Sequence, residues 1–246
     1  MIKFRTLATI AVALFVLTVL VRAPASWLLA ALPRTIECQQ PAGSMWRGAC
    51  AQVRLAGAAL NDVHWELHPF ALLGGRLELE LHSGDARAPG RGTLDFSLSG
   101  RRTVRDLHAD APIDTGFLPL FPSGWNGRVQ LALDSLEFRE GRLTAIHGAI
   151  TARSLEQLQP PMKFGSYELL FSAPPSADGT VTGQLRDVGG PLAVSGTLTI
   201  RHGSEYVLSG SAAARAEANP ELARVVTFLG PADAQGRRQY SLAGSF

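Results

Sequence analysis

This chain lacks any marked excess of positive or negative charge. Its 246 residues include 23 basic and 21 acidic side chains. Three of the basic ones, Lys3, Arg5 and Arg22, flank the first apolar run, which leaves 20 basic against 21 acidic elsewhere. With no basic excess to neutralise phosphates, nucleic acid is a poor fit as a partner. The tightest basic cluster, Arg101, Arg102 and Arg105, reads as a solvated loop after Gly100.

Catalytic signatures are missing as well. There is no His-Glu-x-x-His for a metal, and no serine sits in the glycine-flanked nucleophile elbow. Gly90-Arg91-Gly92 is followed by Asp95 where a dinucleotide fingerprint requires Gly, and it precedes a strand instead of a helix. The six histidines are scattered. His64 and His68 share one strand face with Glu66 between them, which raises a metal site, but beside Pro69 they read as ordinary surface residues. The sequence offers no catalytic, cofactor-binding or metal-ligating residue, and the chain is expected not to be an enzyme. Cysteine is nearly absent too. Cys38 and Cys50 without a neighbouring His make half a zinc site. In an oxidising compartment they are expected to form a structural disulfide, closing a short loop for roughly 3 kcal/mol.

The long uncharged run Thr6 to Val21 (TLATIAVALFVLTVLV) is where the chain is organised. It spans roughly 24 Å as a helix, short of the ~30 Å hydrocarbon core, and Arg5 and Arg22 can make up the difference by snorkelling. Two readings fit: a retained signal anchor, or a signal peptide cleaved near Ala23-Pro24-Ala25. Arg22 and Pro24 speak against cleavage, and Ala25 to Leu32 continues the apolar character with Trp27 as an interfacial aromatic. Lys3 and Arg5 keep the N-terminus inside, so both readings export the rest. The expected layout is a cytoplasmic segment 1–5, an anchor and interfacial segment 6–32, a connector 33–43, and an exported β domain 44–246 with a subdivision near 110–123. The chain would be a single-pass membrane protein.

Beyond the connector, period-two alternation dominates. Arg76 to His82 (RLELELH) puts Leu77, Leu79 and Leu81 on one face and charge on the other. Thr93 to Ser99 and Arg128 to Leu133 repeat the pattern. Glu140-Gly141, Asp178-Gly179 and His202-Gly203 mark turns between such runs. About twelve short strands at spacings near ten residues predict a mainly β, largely antiparallel sheet, curved or sandwich-like. A weak echo suggests two similar units: Trp46-Arg47-Gly48 and Trp125-Asn126-Gly127 share W-x-G. One helix is predicted after Asn219, with Pro220 in its first turn, an apolar face of Leu222, Val225, Val226 and Leu229, and Gly230 at its end. Trp46, Trp65 and Trp125 sit in or beside strands. They fit core packing, or alternatively an apolar docking face.

In the C-terminal half the residues combine into a familiar order. Phe164 to Leu169 (FGSYEL) is followed by Gly183 to Gly196 (GQLRDVGGPLAVSG), Tyr206 to Gly210 (YVLSG), Pro220-Glu221-Leu222, and Phe228-Leu229-Gly230 with Gly236-Arg237. Earlier, Gly43 to Gly48 (GSMWRG), Val63-His64-Trp65 with Pro69, and Gly124 to Arg128 (GWNGR) stand in matching order. Across nearly its whole length the chain resembles the type II secretion system protein N family of Gram-negative bacteria. Thr144 to Gly148 (TAIHG) departs from the pattern where a tryptophan is expected. The resemblance implies an accessory inner-membrane subunit of the machinery that exports folded proteins across the outer membrane. Its periplasmic domain would dock onto other inner-membrane or periplasmic secretion subunits, with no catalytic residues and no cofactor. The alternative is an AsmA-like groove, tethered to the inner membrane, that binds or transfers lipid. The two differ in whether one apolar face stays open: a closed sandwich would bury Trp65, Leu77, Leu79 and Leu81.

Overall fold

The computed structural model describes residues 11–245 except 13, 16, 17, 20, 31–34, 56–57, 114–123, 175, 177 and 203. The described residues form one sheet of 13 strands whose spatial order is the order of the chain. The strands are β1 (Ile36–Gly43), β2 (Arg47–Leu55), β3 (Ala58–His68), β4 (Arg76–Ser83), β5 (Gly90–Ser97), β6 (Arg101–Pro112) and β7 (Trp125–Arg139). They continue with β8 (Arg142–Leu158), β9 (Pro161–Phe171), β10 (Val181–Gly189), β11 (Leu192–Arg201), β12 (Glu205–Ala214) and β13 (Arg238–Ser245). Every neighbouring pair is antiparallel. Beside the sheet stand the short helices α1 (Ala25–Ala30) and α2 (Pro220–Thr227) and a 3-10 turn at Pro69–Gly74.

Alternation fixes the register. Trp65 lies opposite Leu81, and Leu67 opposite Leu79. Leu79 faces Leu94, Leu94 faces Val104, Val104 faces Leu136, and Leu136 faces Ile146. An apolar row thus crosses the sheet from strand to strand, because a slip of one residue would turn every leucine outward. The opposite face carries Glu66, Glu80, Thr93, Arg105 and Ser135, which also lie opposite one another. A single antiparallel sheet of the described residues is therefore the outcome, in place of a sandwich. On the apolar face the side chains gather in three clusters. One joins Ala25 of α1 to Cys50, Trp65, Leu67 and Leu79. A second is built on Leu133, Ile146, Phe171 and Ile200. The third seats Leu222 and Val226 of α2 against Leu192.

Several expectations are corrected. The connector expected over 33–43 is strand β1 from Ile36 onward; its Pro41 and paired glutamines hide the alternation. Arg101, Arg102 and Arg105 belong to β6, not to a loop; Arg105 pairs with Asp95 at 2.5 Å and with Glu78 at 3.2 Å. The runs around Val129 and Leu136 are a single strand of 15 residues, and β8 has 17, because bulges absorb their breaks in alternation. Of the stretch expected to divide the domain, residues 114–123 lie outside the described residues; β6 and β7, which flank it, pair directly over Arg101–Pro112. Much of the expected anchor also lies outside the described residues. Its described members from Ala11 to Val21 are helical, with Val12, Leu14, Phe15 and Val21 exposed. Among the described residues no helix is long and apolar enough to cross a membrane.

α2 follows its sequence signals at the N-terminus. The Asn219 side chain accepts a hydrogen bond from the Glu221 N–H at 2.9 Å. Its apolar face is narrower than the spacing predicts: Leu222 and Val226 are buried, while Val225 and Leu229 stay exposed.

Candidate functional site

Among the described residues each histidine ion pair involves a single carboxylate. His64 contacts Asp62 at 2.8 Å and His202 contacts Glu205 at 3.5 Å at exposed positions, and the half-buried His68 contacts Glu80 at 3.6 Å. Among the described residues no group of three metal-binding side chains comes together. A shallow depression of about 440 Å³ on β4–β7 brings His82, Arg91, His108 and Asp110 near one another. Its carboxylate is already engaged: Asp110 accepts from Arg128 at 2.7 Å and from Gln130 at 3.0 Å.

A second polar group lies beside α2. Tyr167 and Asp187 are cross-strand partners, and the Arg215 guanidinium donates to Asp187 and to the Gly190 carbonyl at 2.6 Å. Burial, with Asp187 nearby, pushes the Tyr167 phenol up to about 12. The hydroxyl stays protonated at neutral pH and donates to the Phe164 carbonyl at 2.5 Å. These hydrogen bonds and the cross-strand pairing stitch β9, β10 and the chain leading to α2 together.

The two cysteines form a disulfide between β1 and β2, with Cα atoms 5.6 Å apart. The three tryptophans lie with the apolar clusters. Trp65 is 5% exposed, and its indole N–H donates to the Met45 carbonyl at 3.2 Å. Its ring occupies the space where a Cβ on Gly48 would stand, only 2.3 Å away, which gives the glycine of W-x-G a steric reason. Trp46 packs half-buried on the same cluster. Trp125 stacks on Phe164 with ring centroids 4.8 Å apart.

Two features missed by residue-type reasoning stand out. The first is the contrast between the sheet edges. β1 carries Pro41, the positive-φ residue Gln40 and the disulfide, devices that blunt an edge. β13 (RQYSLAGS) has no proline and no disulfide, while in charge and exposure it matches β1, each strand having one charged residue and six of eight residues exposed. It is anchored on its inner side by Tyr240, which lies opposite Gly210 where a Cβ on that glycine would approach the phenol oxygen to 2.7 Å. The second is a cavity of about 400 Å³ on the apolar face of β3–β7, walled by Leu60, Leu81, Leu94, Val104, Leu107 and Leu131. Trp65 and Leu79 are buried, but Leu77 and Leu81 remain half-buried. Alternation exposes the leucines to a reader of the sequence; the small residues that leave the hollow, Gly90, Gly92 and Ala109, give no such signal.

A family model for "Type II secretion system (T2SS), protein N" matches residues 34–241. A type II secretion system protein N of Vibrio cholerae serotype O1 is 27% identical over 235 residues, covering 92% of each chain. A protein of the same description from Aeromonas hydrophila is 26% identical over 231 residues, covering 89% of each. No solved structure matches the chain.

Proposed function

Because this chain belongs to the type II secretion system protein N family, we propose that it serves protein secretion as a docking subunit, with β13 as the edge that receives a partner. Membership makes it an accessory component of type II secretion. In this reading residues 6–32 hold it in the inner membrane by a single pass, with the N-terminus in the cytoplasm and the sheet in the periplasm. The exposed apolar helical residues before Arg22 and the disulfide suit that arrangement.

The observation that carries the docking role is the asymmetry of the edges. A terminal strand offers unpaired N–H and C=O groups, and an extended segment of another subunit satisfies them by adding a strand. β1 carries a proline and a disulfide that guard against this, and β13 beyond Arg238, which Ala232 bridges, carries neither. The test is affinity purification from native membranes in mild detergent, followed by mass spectrometry. Ser241→Lys combined with Ala243→Lys puts charge along the open edge and is expected to abolish recovery of other secretion subunits. Gln39→Lys on the guarded edge is expected to leave recovery intact. Unchanged recovery with the lysine pair, or recovery of only second copies of this chain, overturns edge docking.

A further inference from the structure

We infer that the hollow on the apolar face of β3–β7 holds one acyl chain of a membrane phospholipid. Its volume of about 400 Å³ lies in the range of small-ligand sites, ~300–1,000 Å³. The hollow exists because the cross-strand row Ser83–Gly90–Ala109 carries small residues and Gly92 stands opposite Leu81, whereas the next row, Leu79–Leu94–Val104, is large throughout. A Cβ built on Gly90 meets its nearest neighbours at 3.5 Å, ordinary contact distance, and its φ is not positive. Neither crowding nor backbone strain therefore requires glycine at this position.

The lining selects between apolar occupants. The backbone groups of β3–β7 are spent on their own ladders. The one hydroxyl at the wall, Ser83, donates to the Ala88 carbonyl at 3.1 Å. A peptide segment laid here would bury N–H and C=O groups with nothing to bond them, a heavy cost. A hydrocarbon chain has no such groups. A source of hydrocarbon is also adjacent. Leu81 and Leu94, which wall the hollow, also pack against the cluster that seats Ala25, Leu28 and Leu29 of α1. α1 directly follows the apolar helical residues that end at Val21. The hollow thus opens beside the point where the membrane-directed segment joins the sheet.

The experiment uses the full chain in mild detergent, equilibrated with vesicles of phosphatidylethanolamine and phosphatidylglycerol and examined by native mass spectrometry. One retained phospholipid per chain is expected. Each methylene excluded from an apolar site weakens binding roughly fourfold. Gly90→Val and Ala109→Leu, tested separately, should each reduce retention by about tenfold or more, whereas Thr93→Ile on the polar face should not. Since a filled variant can disturb β5 or β6, a phospholipid with a photoreactive acyl chain is also applied to the unaltered protein. Crosslinks at Leu107 or Leu131 are expected. Absence of retained lipid, full retention by both filled variants, a polypeptide in place of lipid, or crosslinks confined to residues before 31 would each overturn the assignment. Recovery of secretion subunits reads out separately from all of these.

Discussion

Asp85 illustrates how single residues hold the rim of the hollow. It accepts hydrogen bonds from the backbone N–H of Arg87 at 2.9 Å and of Asn61 at 3.2 Å, and from the Asn61 side chain at 2.8 Å. These ties join the loop after β4 to β3. The Arg87 N–H, more than any other contact, holds the Asp85 carboxyl below the usual carboxylate range, against the opposing effect of burial. A depressed carboxyl contributes stability that is complete above the unfolded value, ~4, and lost as pH falls through the folded value. Asp85→Ala is therefore expected to lower unfolding stability by roughly 1–3 kcal/mol at pH 7, and by less at pH 3, as urea midpoints would show. Gly148 sets a steric limit instead. Its φ is +120°, and a Cβ there would stand 2.3 Å from the Ala132 carbonyl oxygen. Gly148→Val is expected to cost about 3 kcal/mol or more, measured by the same titration.

At the scale of elements, β1 is held by a single neighbouring strand, and the disulfide is its second tie. Reduction is expected to free β1 first. Hydrogen exchange should show early loss of protection over Ile36–Gly43 while β7 and β8 remain protected, with a destabilisation of ~3 kcal/mol in the chain-entropy model. Replacing the α2 cap, Asn219→Ala, is expected to cost ~1 kcal/mol and to fray the helix without loosening the sheet, as amide exchange at Glu221 and Leu222 would report. Legibility followed the same division. β4, β5 and α2 could be read from sequence because their patterning is a local consequence of which face is buried. β1 could not, since Pro41 and two glutamines break its alternation and only pairing with β2 makes it a strand. The Cys38–Cys50 bond was legible from spacing and compartment. The hollow was not: it depends on Gly90 and Ala109 meeting across β5 and β6, and register is invisible until the sheet is assembled.

At the scale of the molecule, the strand order repeats the order of synthesis from first to last. No pairing awaits a distant part of the sequence, and each hairpin finds its predecessor already in place. Such a chain can assemble as it emerges from the ribosome or a translocation channel, the β1–β2 hairpin offering the surface on which β3 forms, and so on. A chain cut after Ala214 is accordingly expected to keep protease resistance through β10, which limited proteolysis of stalled or truncated chains would check. The same arrangement leaves the last strand as a growing end. Addition of a segment from another polypeptide would be, for this sheet, the same event as the twelve additions that built it.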